Sequence, residues 1–104
     1  MASESEPKLC SFQQIKSQLD PRCVYLIFEK AANPGSRTEL FEVNELLEPC
    51  RAGIVREDLY YDEISGRLFM VIEVDPQQAH KLQRILLHPR LPRNAQVYLY
   101  GNLP

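Results

Sequence analysis

No stretch of this 104-residue chain comes near the roughly 20 apolar residues that a membrane-spanning helix needs. Its longest apolar runs, Val24 to Phe28 and Leu68 to Ile72, have the length of strands. The first ten residues lack the cationic start and apolar centre of a secretory signal and read as a short polar tail, with one domain over residues 11–104. Three widely spaced cysteines, Cys10, Cys23 and Cys50, make neither a CxxC pair nor a disulfide framework. Reduced thiols in a cytoplasmic protein are the expectation. A reactive thiol would need a setting that lowers its pKa. GxSxG, P-loop, GxGxxG and HExxH patterns are all missing, as are internal repeats and low-complexity tracts.

Acidic residues stop at Asp75. Residues 1–75 hold eight Lys/Arg against 14 Asp/Glu, a net −6, whereas Lys81, Arg84, Arg90 and Arg93 give the remainder a net +4. Such asymmetry can steer partners or draw two copies together. With 44% hydrophobic and 25% charged residues the composition is that of a folded globular chain. A core this small leaves much surface wet, and a partner is one way to cover it.

Ser11 and Gln14 form a capping-box pattern, and Phe12, Ile15 and Leu19 share one helical face, so a short helix is expected over 12–19, stopped by Asp20-Pro21. Residues 23–29 read as a central strand, apolar on both faces. Asn33-Pro34-Gly35-Ser36 reads as a loop. Between Thr38 and Glu48, Leu40, Val43, Leu46, Leu47 and Cys50 recur at helical spacing. This predicts a helix with Thr38 as N-cap, the competing reading being a strand over 39–43. Residues 54–61 and 67–74 read as a hairpin around Asp62-Glu63-Ile64-Ser65-Gly66. Asp75-Pro76 with Gln78 predicts a capped helix over 76–87 with Ala79, Leu82, Ile85 and Leu86 inward, ended by His88-Pro89. A basic loop from Pro89 to Arg93 leads to a last strand over 95–100. The order β-α-β-β-α-β after a leading helix suits an α+β ferredoxin-like sandwich, a four-stranded antiparallel sheet with two helices on one face.

Strand alternation then divides the residues. Val24, Leu26, Phe28, Leu68, Met70, Ile72, Val74, Val97 and Leu99 point to the helices, with Glu73 on the opposite side. The open face is expected to carry Tyr25, Ile27, Phe69, Val71, Tyr98 and Tyr100. A contiguous apolar, aromatic patch marks an interaction surface. These six residues are therefore the expected partner-binding site, with a second copy as the expected partner. The competing expectation is that Phe12, Ile15 and Leu19 fold back over the patch.

Chemistry is sparse. His80, Arg84 and His88 recur every four residues opposite the core stripe, and two histidines eight apart on a helix cannot share one metal. Asp62 and Glu63, or Glu57 and Asp58, are neighbours on strands and point to opposite faces. No catalytic residue, metal ligand or cofactor is assigned. Val24-Tyr25-Leu26-Ile27 resembles the start of the first-strand signature of RNA-recognition-motif domains. Ser65-Gly66-Arg67-Leu68-Phe69 matches that family's third-strand signature at Gly66 and Phe69 and departs from it at Arg67, Leu68 and Ile72. The resemblance would make Tyr25 and Phe69 base-stacking positions, but the acidic pI of about 5.7 opposes phosphate binding. The function expected is a non-catalytic regulatory or scaffold domain that binds protein as a homodimer. A small-molecule sensor at a dimer cleft, an RNA-binding module and a dimeric α+β barrel enzyme are the alternatives.

Overall fold

Strands β2 (Val24–Ala31) and β4 (Arg67–Val74) form the centre of the molecule, because their side chains are apolar on both faces and neither face can stay wet. The computed structural model describes residues 7–33, 36–86 and 95–101, without the side chains of residues 36–41. The chain folds as α+β, with a mixed five-stranded sheet and three α-helices among the described residues. Strand order across the sheet is β1-β3-β4-β2-β5, with β1 at Lys8–Leu9, β3 at Ile54–Asp62 and β5 at Gln96–Tyr100. The β3–β4, β4–β2 and β2–β5 pairs are antiparallel, and β1 runs parallel to β3 through Lys8–Tyr60 and Leu9–Tyr61. Residues 8 and 9, read from sequence as part of a tail, thus add a fifth, edge strand. Residues 1–6 of that tail lie outside the described residues.

One sheet face packs on α2 (Ser36–Leu47) and α3 (Ala79–Leu86). Val24, Leu26, Phe28, Met70, Ile72 and Val74 meet Val43, Leu47, Leu82 and Leu86 there, all buried. The other face packs on α1 (Phe12–Gln18). The two-residue period of the strands therefore assigns the sides as expected. What differs is the number of layers: helices lie on both faces of the sheet, not on one.

The local signals resolve as follows. Ser11 caps α1 with its reciprocal partner Gln14, at 3.2 and 2.9 Å. The ambiguous stretch is a helix rather than a strand. It starts at Ser36, which places Thr38 inside it instead of at the cap. Glu48–Gly53 continue as a 3-10 segment, with Pro49 near its start. Asp75 accepts a hydrogen bond from the Gln77 amide at 3.0 Å, and Pro76–Gln78 form a 3-10 turn before α3. The box expected with Gln78 is replaced by that tighter turn. Gly66 takes φ +68° in the β3–β4 turn. Gly101, at φ +112°, brings its α-carbon so close to β2 that a Cβ would sit 2.3 Å from the Cys23 carbonyl oxygen. The proposed helix end at His88-Pro89 and the basic Pro89–Arg93 loop lie outside the described residues, as do Pro34 and Gly35.

Leu82 is buried in the core while Arg84, on the same helix, is exposed. Leu82→Ala is expected to cost about 2–5 kcal/mol, and Arg84→Ala to stay within about 0.5 kcal/mol, read from denaturant midpoints. The reverse order would mean that α3 presents its other face to the sheet.

Candidate functional site

The α1-facing side of the sheet is a lattice of three four-residue rows fixed by strand register. Tyr60, Phe69, Glu29 and Gln96 form the first; Asp58, Val71, Ile27 and Tyr98 the second; Arg56, Glu73, Tyr25 and Tyr100 the third. All six residues expected at the partner surface lie on this one face. They are not open. Ile27, Phe69 and Val71 are buried, because α1 lies over them with Ile15 at its centre and Phe12 and Leu19 at either end. The Phe12 ring stacks on Phe69 with centroids 4.9 Å apart and planes 6° from parallel. The expectation of an open apolar face is therefore corrected, for a plain reason: the sheet and α1 each carry an apolar surface, and the connection from α1 to β2 is short enough to bring them together.

The three tyrosines remain half-buried. Tyr25 turns its hydroxyl inward, where it accepts a hydrogen bond from the Asp20 amide at 3.0 Å. Desolvation, chiefly, raises its pKa. Tyr98 and Tyr100 lie on edge strand β5, with ring centroids 6.3 Å apart. The Tyr98 hydroxyl hydrogen-bonds Gln96 and Glu29, and the bond to carboxylate Glu29, ahead of burial, raises its pKa. Glu29 also pairs with Arg67. The position of Glu29 was legible in the alternation of β2, which places it on the same side as Tyr25 and Ile27. Dividing β3 in the same way would have found Arg56, Asp58 and Tyr60.

Asp62 anchors α1 to the sheet. One carboxylate oxygen accepts from the Phe12 amide at 3.3 Å, and the other from the Ile64 amide at 2.9 Å in the β3–β4 turn. Burial opposes its ionisation, but these bonds and those from Ser65 outweigh it, and its pKa falls below the ordinary aspartate value. Glu57 and Asp58 face opposite ways: Glu57 is held by Arg51 at 2.8 Å, and Asp58 by Arg56 at 2.9 Å and Lys8 at 3.4 Å. Cys23 has its pKa raised, first by desolvation and then by its hydrogen bond to Glu73. A nucleophilic thiolate needs the opposite shift. Among the described residues no three His, Cys, Asp or Glu side chains converge as a metal site. His80 is exposed, and His88 lies outside the described residues.

A groove of about 150 Å³ opens between α1 and the β3 side of the sheet. Ile15, Leu19 and Val71 give it an apolar wall, and Gln18, Tyr25, Tyr60, Arg56, Asp58 and Glu73 line the rest.

No family model and no curated protein matches the chain. The class of protein that the fold defines is α+β with a mixed sheet. A solved structure shares that fold: the crystal structure of PA3566 from Pseudomonas aeruginosa is similar over 80% of this chain and 96% of its own, with a TM-score of 0.51 and 24% sequence identity. No helix among the described residues is long and apolar enough to cross a membrane.

Two outcomes follow from α1. Phe12→Ala removes the stack and half-uncovers Phe69. It is expected to destabilise by about 1–3 kcal/mol and to speed amide exchange in α1 and β1 before the rest of the sheet. Asp62 stabilises the fold fully above its unfolded-state pKa, about 3.9. That contribution is lost as pH falls through its lower folded value. Acid should therefore release α1 first, and Asp62→Ala should remove this part of the acid transition, followed by exchange or by Phe12 side-chain shifts.

Proposed function

We propose that this domain is a non-catalytic regulatory or scaffold module that works by binding protein, and that its partner is a second copy joined through β5. The observation that carries this reading is the asymmetry of the two sheet edges. The β3 edge bears Arg56, Glu57 and Asp58 and is capped at one end by β1. The β5 edge, Gln96–Tyr100, has neither a charge nor a proline, the devices that usually keep an edge from pairing. Two antiparallel β5 strands about a two-fold axis would continue the sheet from one copy to the next, a self-complementary contact. Tyr98 and Tyr100, with Tyr25 behind them, would supply aromatic area at low entropic cost. Ile27, Phe69 and Val71 support the contact from beneath α1 rather than touching the partner. On this reading the four longer strands with α2 and α3 make up a ferredoxin-like core, to which β1 and α1 are added.

Electrostatics does not help such a dimer. Exposed Lys81 and Arg84 lie on α3, which packs beside β5, so two copies bring like charges together. The RNA reading loses its main support, since the face of Phe69 that a base would stack on is occupied by Phe12.

Light scattering tests the proposal, with circular dichroism as the folding control. Wild type should have twice the monomer mass, and Tyr98→Lys and Tyr100→Lys should halve it while keeping the fold. The new ammonium of Tyr98→Lys would lie near Glu29. Phe69→Lys should unfold the chain instead, because it buries a charge under α1. Raising salt should preserve or tighten the association, as screening removes repulsion between the α3 helices. A wild type that stays monomeric at high concentration overturns the dimer.

A further inference from the structure

We infer that the groove between α1 and the β3 side of the sheet is a binding site for a small primary amine with a compact apolar body. The inference is independent of the dimer and rests on a different part of the molecule. Its first support is an unbalanced carboxylate. Arg56 stands directly across from Glu73 in the β3–β4 register, yet its guanidinium turns along its own strand to Asp58, at 2.9 Å. Lys8 also engages Asp58, at 3.4 Å. Asp58 therefore has two cations, while Glu73 has no cationic partner among the described residues and lies beside the Cys23 thiol, whose pKa it helps to raise. A half-buried carboxylate beside an apolar wall attracts a cation more strongly than one in bulk water.

The second support is the remainder of the lining. Ile15, Leu19 and Val71 offer one small apolar wall against which a compact hydrocarbon body can rest, the rest of the lining being polar. Tyr25 and Tyr60 place aromatic rings beside it, and ring faces attract ammonium groups. The chain itself shows this chemistry at the rim, where the Lys8 ammonium lies 5.9 Å from the centre of the Tyr60 ring. Size sets the third limit. A space of about 150 Å³ is that of a cavity which takes a single benzene ring, well below what a nucleotide or a drug-sized ligand needs. An ammonium on Glu73 with one ring, or an alkyl chain of like volume, against Ile15 and Val71 satisfies all three features. Anions are disfavoured by Glu73.

Amide chemical shifts of the full chain, titrated separately with benzylamine, benzyl alcohol and benzoate, test the site. Benzylamine should shift amides of residues 15–19, 56–60 and 71–73 together and saturate at roughly millimolar concentration, as befits so few atoms. Benzyl alcohol and benzoate should bind at least about tenfold more weakly, the lower end of what a charge-assisted hydrogen bond contributes. Glu73→Gln should weaken benzylamine by a similar factor and leave benzyl alcohol unchanged. Gln18→Lys, on the exposed rim of the groove, should also weaken benzylamine by supplying an ammonium from the chain. Its position on the wet side of α1 keeps folding out of the question. The site is overturned if benzyl alcohol binds as well as benzylamine, if shifts scatter outside these three segments, or if Glu73→Gln binds benzylamine like wild type.

Discussion

Everything in this fold follows from two neighbouring strands that are apolar on both sides. From Val24 to Lys30 only Tyr25 is more than slightly exposed, and from Leu68 to Val74 only Glu73. A sheet with one such face needs one layer of helices; this sheet has two and needs cover on each. Helices α2 and α3 provide the first layer by the usual crossovers. The chain has no other long helix among its described residues, so the second cover is the short α1, supplied from before the first long strand.

That solution makes α1 and the sheet depend on one another. A helix of seven residues is marginal in water by itself. Its capping box and the cation–π contact of Lys16 with Phe12, at 4.8 Å, add a little. Most of what holds it is burial of Ile15 and the Phe12–Phe69 stack, and burying one such side chain contributes about 1.5–3 kcal/mol. The same contact keeps Phe69, Val71 and Ile27 dry. Asp62 joins the two parts by accepting from both the start of α1 and the β3–β4 turn. Elements of this kind lie at the low end of local stability. The groove is bounded by this same helix, so a ligand seated there would add contacts where the fold has fewest.

The sequence was most legible where the period was short and the signal local. Alternation along β2, β4 and β5 placed nearly every side chain on its correct face, Ser11 and Gln14 marked the start of α1, and Asp75 marked the 3-10 turn that leads into α3. Non-local choices were not legible. The stripe Phe12, Ile15, Leu19 says that α1 has an apolar face, not which apolar surface it meets, and an open sheet face is a natural first reading. Lys8–Leu9 carry no strand signal of their own. Their pairing with Tyr60 and Tyr61 arises because α1, once docked, brings the preceding residues alongside β3. Alternation put Glu73 on the side away from α2 and α3, and Glu29 was read only as the end of an apolar strand. Their surroundings became specific only when register set them against Arg67 and Tyr98 in one case and beside a diverted Arg56 in the other.

Covering the face also redistributes where the molecule can make contacts. With α1 absent, the apolar lattice would dominate any surface argument, and its centre would be Phe69 and Val71. With α1 docked, that centre is internal, and what remains is peripheral and split in two. On the β3 side the charged residues satisfy one another, except at Glu73, and leave a groove too small for a macromolecule. On the β5 side the strand itself, Gln96–Tyr100, carries no charge, presents two tyrosines and pairs with β2 alone among the described residues. A narrow groove beside a carboxylate with no cationic partner among the described residues and a strand edge without charge are two different kinds of surface. The same seven-residue helix that closes the middle of the sheet therefore leaves these two different surfaces on its two flanks.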